Sequence, residues 1–280
     1  MGTIVAVANQ KGGVGKTTLA VHLAAWLAMR GKRAIVVDAD PQGNASSWLL
    51  GGNRPDRLGE TCQVEGGMWR VLHGGQDARQ TVQAVNGQWR IGVLSGNEST
   101  SDALALLSLR GRPMDTVARR LRPLGEWVDY VLLDMPPSKS VGFRELLFAA
   151  EWVLVPTQLE RMSLEGVGFV ARTCQELQRD QGKGPRLLGV VPNMMRRQTV
   201  EHREQLGKLV ETLGPLVWPP IPESIRVGEA CSFGEALWWY APGETVTRAM
   251  ELVAWRFLRN TGGDPHPQPL SQGERGGSDG

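Results

Sequence analysis

Short apolar segments alternate along most of the chain with segments whose apolar residues recur at helical spacing. The apolar segments resemble strands that are buried on both faces of a parallel sheet. They cover Thr3–Ala8, Arg33–Asp38, Trp89–Leu94, Asp129–Asp134, Trp152–Pro156 and Arg186–Pro192, with the proline-containing Leu216–Pro222 as a weaker candidate. Helical spacing covers Thr17–Arg30, Ser101–Leu109, Met114–Leu124, Leu164–Arg179, Val200–Leu213 and Thr245–Asn260. This alternation predicts an α/β fold, a doubly wound and mostly parallel sheet with helices on both faces.

The composition is typical of one large domain followed by a polar tail. The chain has 280 residues, 41% of them hydrophobic, which is enough for a substantial core. We expect residues 1–261 to form a single domain and residues 262–280, rich in Gly, Pro, Ser and Gln, to be disordered. The Gly-rich stretch Gly51–Gly67 is expected to be an exposed loop.

Charge, cysteine and hydropathy patterns argue against several classes of function. The formal net charge of +2 allows a local basic patch but does not by itself indicate nucleic-acid binding. Cys62, Cys174 and Cys231 are widely spaced, and no pair has the spacing of a metal or redox site. No apolar run reaches the roughly 18 residues of a membrane-spanning helix, and the first residues are typical of a strand, not of a signal peptide. We therefore expect a cytoplasmic protein.

A glycine-rich loop, "NQKGGVGKTT" from Asn9 to Thr18, lies between the first predicted strand and the first predicted helix. Gly12, Gly13 and Gly15 lack side chains that would keep backbone amides from converging on an anion. The N-terminus of the following helix adds partial positive charge. The order of strand, loop and helix therefore predicts a phosphate-binding site.

Two lysines belong to this loop. Lys16 is placed to lie along the terminal phosphates of a nucleotide, and the hydroxyl of Thr17 is placed to bind Mg²⁺. The strict phosphate-loop pattern fails at its first position, where Gln10 replaces glycine. The second lysine, Lys11, stands at the mouth of the loop and is not needed by the strict pattern.

The loop resembles the deviant Walker A motif of the ParA/MinD family of P-loop ATPases. Four further segments resemble motifs of that family in the family's order: Val36–Ser46, Val131–Ser138, Val155–Val167 and Ile221–Glu244. The pattern is most similar to the short ParA, or Soj, partition ATPases. The resemblance implies a P-loop NTPase fold of the SIMIBI type, with ATP and Mg²⁺ as cofactors.

The resemblance also implies a set of nucleotide-binding residues. In the loop these are Lys11, Gly12, Gly13, Val14, Gly15, Lys16, Thr17 and Thr18. For adenine it implies Pro222 and, two residues later, Ser224, which replaces the asparagine of the family. Asn193, which follows a predicted strand, is a second candidate for this contact.

Three residues receive catalytic roles from the resemblance: Lys11, Lys16 and Asp40. Lys16 would contact the nucleotide of its own subunit, whereas Lys11 would reach across a dimer to the phosphates of the partner's ATP. A lysine supplied in this way makes dimerisation depend on the γ-phosphate. Asp40 would position or activate the attacking water.

The implied Mg²⁺ site combines one hydroxyl with carboxylates at strand ends. Thr17 would bind the ion directly and Asp134 would hold it through water, which suits a cation that keeps much of its hydration. Asp38 would support both the ion and the loop.

ParA-type dimers bind DNA without sequence preference through basic residues that line up only after dimerisation. Arg226 matches one such arginine, and Arg196 and Arg197 lie one or two residues before the place of another. The implied partners are a second copy of the chain on ATP binding, nonspecific DNA and a ParB-like adaptor, with the protein associated with the nucleoid.

Two alternatives stay open at this point. A ParA-like ATPase that positions a non-DNA cargo on the nucleoid would share the same chemistry with a different adaptor. A MinD-like ATPase of the membrane surface would need an amphipathic C-terminal helix. Thr245–Asn260 is amphipathic, but Gly- and Pro-rich residues follow it and we expect its apolar face to close the core. Stable membrane association is therefore not expected.

Overall fold

The computed structural model describes residues 1–51, 66–85, 88–109, 111–137, 140–161 and 163–262, and its centre is a seven-stranded sheet. The strands are β1 (Thr3–Val7), β2 (Ala34–Asp38), β3 (Gln83–Val85), β4 (Gln88–Leu94), β5 (Tyr130–Asp134), β6 (Trp152–Gln158) and β7 (Arg186–Asn193). Their spatial order is β3-β4-β2-β5-β1-β6-β7, and every neighbouring pair is parallel except β3 with β4. The predicted mostly parallel α/β fold is confirmed.

Helices connect the strands and follow the last of them. They are α1 (Lys16–Met29), α2 (Asn44–Ser46), α3 (Gly67–Leu72), α4 (Ala78–Thr81), α5 (Ser99–Leu109), α6 (Thr116–Trp127), α7 (Phe143–Phe148), α8 (Ser163–Gln181), α9 (Val200–Leu213), α10 (Ile225–Ser232), α11 (Leu237–Tyr240) and α12 (Thr245–Asn260). A π-helical turn, Ser47–Gly51, continues α2, and a 3₁₀ turn, Gly214–Leu216, follows α9. Because the crossovers join parallel strands, the carboxyl ends of those strands meet at one edge of the sheet.

Both faces of the sheet are buried because successive residues of each strand point to opposite sides. In β1, Ile4 and Ala6 belong to a first core, and Val5 and Val7 belong to a second core. Helices α3 to α8 contribute to the first core, whereas α1, α2, α10, α11 and α12 contribute to the second. The apolar runs along the sequence therefore reflect strands covered on both sides.

The proline-containing candidate strand, Leu216–Pro222, was a wrong prediction. Two isolated bridges, Val217 with Val190 and Pro222 with Met195, and a few backbone hydrogen bonds join this segment to β7 and the residues after it. Proline has no backbone N–H to donate, so the three prolines of the segment prevent a continuous ladder. At the opposite edge, the short antiparallel strand β3 was not predicted.

The longer helices follow the predicted pattern closely. The bounds Val200–Leu213 and Thr245–Asn260 are confirmed, and the ends of the other four predicted helices differ from the observed ones by at most three residues. The short helices α3, α4, α7, α10 and α11 were not predicted, since one or two turns show little periodicity. The expectations for Cys62, most of the Gly51–Gly67 loop and the tail beyond Gly262 lie outside the described residues.

Helix α12 uses its apolar face inside the domain, as expected. Val246, Met250, Val253 and Phe257 are buried in the second core. Within the described ranges, no helix combines the length and the apolar composition that crossing a bilayer requires.

The close packing of β7 against Trp218 in the second core can be tested by mutation. A Cβ atom at Gly189 would lie 2.1 Å from Nε1 of the buried Trp218 indole. Gly189→Ala should therefore lower the free energy of unfolding by about 1–3 kcal/mol, measured by urea denaturation. Gly207→Ala in α9 is the matched control, because a Cβ there meets nothing within 4 Å and should raise that free energy by roughly 0.5–1 kcal/mol. Wild-type stability of Gly189→Ala would contradict this packing.

Candidate active site

The glycine-rich loop leaves β1 and leads directly into α1, as predicted. Gly13 and Gly15 have φ angles of 71° and 95°, in the left-handed region that favours glycine. At Gly15 a side chain is also excluded by space, because a Cβ would lie 2.2 Å from Nδ2 of Asn193. No side chain caps the start of α1, so its first amides are available to an anion.

A cavity of about 1090 Å³ lies over this loop and the start of α1. Its lining comes from segments that follow the carboxyl ends of five parallel strands. After β1, β2, β4, β5 and β7, respectively, these segments contribute the phosphate loop, Asp40, Ser101, Pro137 and Met194. Ligands of open α/β sheets bind at this edge. The topology thus brings residues from distant parts of the chain to one cavity.

The two lysines of the loop have different environments. Lys16 is buried, and its Nζ donates a hydrogen bond to the backbone O of Lys11 at 3.1 Å. Burial lowers the pKa of Lys16, and the negative charges of Asp134 and Asp40 oppose that shift. Lys11 instead projects outward, with its side chain 41% exposed and its Nζ 3.1 Å from Oε2 of Glu160. The loop therefore buries one cation and presents the other at its surface.

Two buried carboxylates lie side by side at the ends of β2 and β5. Asp38 is the register partner of Asp134, and both are fully buried. The Thr17 hydroxyl donates to Oδ2 of Asp134 at 2.7 Å. Burial, with the nearby charge of Asp38, raises the pKa of Asp134 well above its ordinary value. Two neighbouring acids in a low-dielectric site favour binding of a cation between or beside them.

Asp38 is engaged mainly with the loop that follows β2. Both the backbone N and the hydroxyl of Ser46 donate to its Oδ2 at 2.7 Å, and the backbone N of Asp40 donates to Oδ1 at 3.3 Å. Burial raises the pKa of Asp38 to about 6, although the bonds from Ser46 oppose the shift. Asp38 was predicted to support both the Mg²⁺ ion and the loop, and its contacts favour support of the loop. Ser46 ends the segment Val36–Ser46, which resembles a family motif, but it was not predicted as a site residue.

The donor set at this edge fits Mg²⁺ with a nucleotide. Oδ1 of Asp134 is buried without a hydrogen-bond partner, beside the hydroxyl that Mg²⁺ would use. In the part of the chain that the structure describes, no group of three or more His, Cys, Asp or Glu could hold an ion alone. Thr17 and Asp134 would therefore hold the ion together with phosphate oxygens and water, as is usual for Mg²⁺.

Asp40 faces the cavity at the end of the second strand. It is half-buried, lines the cavity, and its Oδ1 accepts a hydrogen bond from the backbone N of Gln42 at 3.0 Å. The carboxylate is thus oriented by its own turn and remains accessible to solvent. This position is compatible with positioning or activating the attacking water, and that role of Asp40 stays a prediction.

The three adenine candidates are not among the described residues that line the cavity. Asn193 is buried and donates from Nδ2 to the backbone O of Val14 at 2.8 Å, which ties β7 to the phosphate loop. The side chain of Ser224 caps α10 by accepting from the backbone N of Arg226 at 3.2 Å. Pro222 forms a single bridge with Met195. Their adenine contacts stay predictions, and the observed contacts give Asn193 and Ser224 structural roles.

Several cavity residues were missed by sequence reasoning. Met194 has a φ of 54°, which is uncommon for a residue with a side chain and is typical of functional sites. Gln158 at the end of β6 bonds both to the sulfur of Met194 at 3.0 Å and to the backbone O of Gly13 at 3.2 Å. Cys231 and Ser232 line the cavity from the end of α10. The only signals for them were a position at a strand end or within the motif-like segment Ile221–Glu244.

A buried histidine joins the phosphate-loop helix to α11. His22 is paired through Nδ1 with the backbone O of Thr18 at 2.7 Å and accepts at Nε2 from the backbone N of Leu237 at 3.2 Å. Burial lowers its pKa to about 4, so the ring is neutral near pH 7. It also makes an edge contact with Trp48, which lines the cavity.

The arginines predicted to contact DNA are exposed, and two of them are paired within the chain. Arg196 Nη2 donates to Oε1 of Glu223 at 2.8 Å. Arg226 Nη1 donates to Oε2 of Glu229 at 2.9 Å, with Glu244 at 3.8 Å from its Nε. A third arginine, Arg197, is exposed as well.

Comparisons with known proteins agree with this site. A family model described as an AAA domain matches residues 2–184. The chain is 39% identical over 252 residues to the chromosome-partitioning ATPase Soj of Thermus thermophilus, covering 89% of this chain and 93% of that protein. It is 35% identical over 246 residues to the chromosome partitioning protein ParA of Caulobacter vibrioides, covering 85% and 86%. An ATP complex of McdA from Cyanothece superimposes with a TM-score of 0.81 at 21% identity, covering 95% and 99%, and supports the fold.

Motif order, fold and overall similarity lead to the same assignment. The matched family model spans more than half of the chain, and the similarity to Soj extends over nearly its full length. The phosphate loop follows β1, Thr17 contacts Asp134, and one cavity lies over the loop. The chain belongs to the ParA/MinD family of P-loop ATPases, which hydrolyse ATP with Mg²⁺.

Proposed function

We propose that this chain is a partition ATPase whose Mg²⁺- and ATP-bound form is a homodimer that binds nonspecific DNA. Hydrolysis, stimulated by a ParB-like adaptor, releases the DNA, and repeated cycles segregate a chromosome or plasmid. The cytoplasm, in association with the nucleoid, is the proposed location. The observation that carries the proposal is the outward position of Lys11 beside a buried Lys16.

The geometry of Lys11 supports a role toward a second subunit. Its backbone O accepts the bond from Lys16, whereas its ammonium group meets only Glu160 among the described residues, in an exposed pair. An exposed ion pair contributes little stability, so Lys11 can exchange Glu160 for a more highly charged partner at low cost. A triphosphate bound to a facing subunit offers such a partner. Loss of the γ-phosphate removes that attraction, which makes the dimer reversible.

The position of Asp40 supports hydrolysis at the same cavity. A carboxylate that is oriented by the turn at Gln42 and still open to solvent can accept a proton from water or orient it. Bound Mg²⁺ would supply Lewis-acid stabilisation of the phosphate charge. Lys16 would add a fixed positive charge along the terminal phosphates, and its burial reduces the screening of that charge by solvent.

The DNA part of the proposal draws on exposed arginines. Arg226 lies at the start of α10 with its side chain 44% exposed, and Arg196 and Arg197 follow β7. Few contacts per subunit would give weak, salt-sensitive binding that becomes useful when two subunits act together.

The burial of the apolar face of α12 argues against the alternative of a membrane-surface ATPase. A non-DNA cargo carried on the nucleoid would use the same ATPase and DNA contacts.

Replacing the outward lysine should separate nucleotide binding from dimerisation. Lys11→Ala should retain ATP affinity and raise the dissociation constant of the ATP-bound dimer about 100-fold, because losing a buried charge contact costs on the order of 2–5 kcal/mol. Light scattering with a nonhydrolysable ATP analogue measures the dimer. Lys16→Ala is the contrasting variant and should lose ATP binding itself. A dimer of unchanged stability in Lys11→Ala would contradict action across the interface.

Asp40→Ala should give a stable ATP-bound dimer with little turnover. Removing a group that positions or activates water should lower the rate of ATP hydrolysis by about 10²- to 10⁴-fold. Phosphate release measures the rate, and light scattering checks that the dimer forms. Turnover near the wild-type rate would remove Asp40 from this role.

DNA binding by α10 can be tested by reversing one charge. Arg226→Glu should weaken binding to a random-sequence duplex in the presence of a nonhydrolysable ATP analogue, measured by fluorescence anisotropy. Arg259→Glu, at the exposed end of α12, makes the same charge change at a position with no proposed DNA contact. If both variants bind DNA equally well, Arg226 is not part of the DNA-binding surface.

A further inference from the structure

A second cavity, of about 450 Å³, lies at the start of α6 and is lined mainly by arginines. Its lining residues are Arg112, Pro113, Thr116, Arg119 and Arg120. None of them lines the nucleotide cavity, and none is among the arginines that the family resemblance implies for DNA. The cavity is therefore a separate feature of the domain.

The segment around the cavity, from Gly111 to Glu126, contains more arginines than acidic residues. Two ion pairs, Arg119–Asp115 at 3.1 Å and Arg122–Glu126 at 3.2 Å, use both acids of the segment from Gly111 to Glu126. The side chains of Arg112 and Arg120 form no hydrogen bond or ion pair within the described ranges. The two arginines without a counter-ion are thus both in the lining of the cavity.

Arg120 is the more informative of the two because it is not fully solvated. It is half-buried and packs against Gly75 in the loop between α3 and α4. A guanidinium stays charged at any physiological pH, so partial burial without a counter-ion is unfavourable. A bound anion would remove this cost. Guanidinium groups match phosphate oxygens through paired, charge-assisted hydrogen bonds.

We propose that Arg112, Arg119 and Arg120 form a phosphate-contact site for the backbone of DNA. The site is additional to the surface around Arg226. This inference rests on the proposed DNA binding and extends it to a second surface of the domain.

The composition of the cavity favours a phosphodiester backbone over other anionic ligands. No aromatic ring is present among its described lining residues, so a nucleotide base would have no stacking partner. Contacts that reach phosphates alone carry no sequence information, in agreement with nonspecific binding. A membrane surface would need apolar insertion, but Val117, Leu121 and Leu124 of α6 are buried in the first core.

The site lies on the opposite face of the sheet from Arg226 and toward the nucleotide edge. Helix α6 packs on the first core, whereas Ala230 of α10 packs on the second. Only two residues separate α6 from β5, so the helix runs antiparallel to that strand. Its twelve residues span roughly 18 Å, about the length of the strand, which brings its first turn to the level of Asp134.

The salt dependence of DNA binding tests the site directly. The full chain with a nonhydrolysable ATP analogue is titrated into a labelled random-sequence duplex at several KCl concentrations. Each lost phosphate contact should reduce the slope of log affinity against log salt by about 0.9, equivalent to roughly eightfold weaker binding at about 0.1 M salt. Arg112→Gln/Arg120→Gln should therefore lose nearly two units of slope for each subunit whose site contacts the duplex. Its effect should add to that of Arg226→Glu, since the two surfaces are far apart.

Matched variants separate charge from folding. Arg259→Gln removes one exposed positive charge elsewhere and should leave the slope close to that of the wild type. Arg120→Lys keeps the charge and should retain most of the slope, whereas Arg120→Gln should not. Thermal unfolding of each variant shows whether the half-buried position tolerates the change, and a loss of DNA binding is interpreted only where the melting temperature is kept.

The outcomes distinguish this inference from the proposed function. If the wild-type chain binds no duplex in any nucleotide state, the proposed DNA binding and this site both fail. If the wild type binds and Arg226→Glu weakens it, but Arg112→Gln/Arg120→Gln keeps the wild-type affinity and slope, only this site is overturned. Loss of binding to phosphatidylglycerol vesicles or to polyglutamate with unchanged DNA binding would assign the arginines to a lipid or acidic-protein partner and would overturn the proposal.

Discussion

The site is organised by two negative charges that the sheet forces together. Parallel pairing of β2 with β5 aligns Asp38 with Asp134, and both carboxylates are buried. Two buried acids at this distance cannot both be ionised without compensation. Ser46 provides hydrogen bonds to the first, and Thr17 and the charge of Lys16 compensate the second. Oδ1 of Asp134 is buried without a hydrogen-bond partner, and a divalent cation held there would compensate its charge further.

This constraint explains why the phosphate loop and the acids act as one unit. Lys16 is buried at a cost that the nearby carboxylates reduce, and in the same position it can attract phosphate. Asn193 ties the loop to β7, and Gly15 is required where the two approach each other. A nucleotide with its metal would therefore enter a site whose charges are already fixed. Preorganised charge of this kind is the main source of catalysis in phosphoryl transfer.

The sequence predicted what depends on local pattern and on contiguous motifs. Long apolar strands and the helices Val200–Leu213 and Thr245–Asn260 were visible because periodicity accumulates over several turns, whereas β3 and the short helices give no such signal. In the site, the loop could be located from its glycines and lysines. The bond from Asn193 to Val14 and the left-handed Met194 could not be, because they depend on how β7 pairs with β6. Pro222 and Ser224 were assigned by motif position alone, which does not specify where side chains point.

The cations on the surface differ in how strongly the chain already holds them. Lys11, Arg196 and Arg226 each meet one or two glutamates in exposed pairs, so binding a polyanion would require only that weak contacts be exchanged for a stronger one. Arg112 and Arg120 have no such contact to give up within the described ranges. For equal numbers of phosphates, the unpaired arginines should therefore contribute more net affinity, because no ion pair is lost when the phosphate arrives. Under the proposed function, the paired cations would release an anion more readily, because Glu160 and the corresponding glutamates can pair with them again.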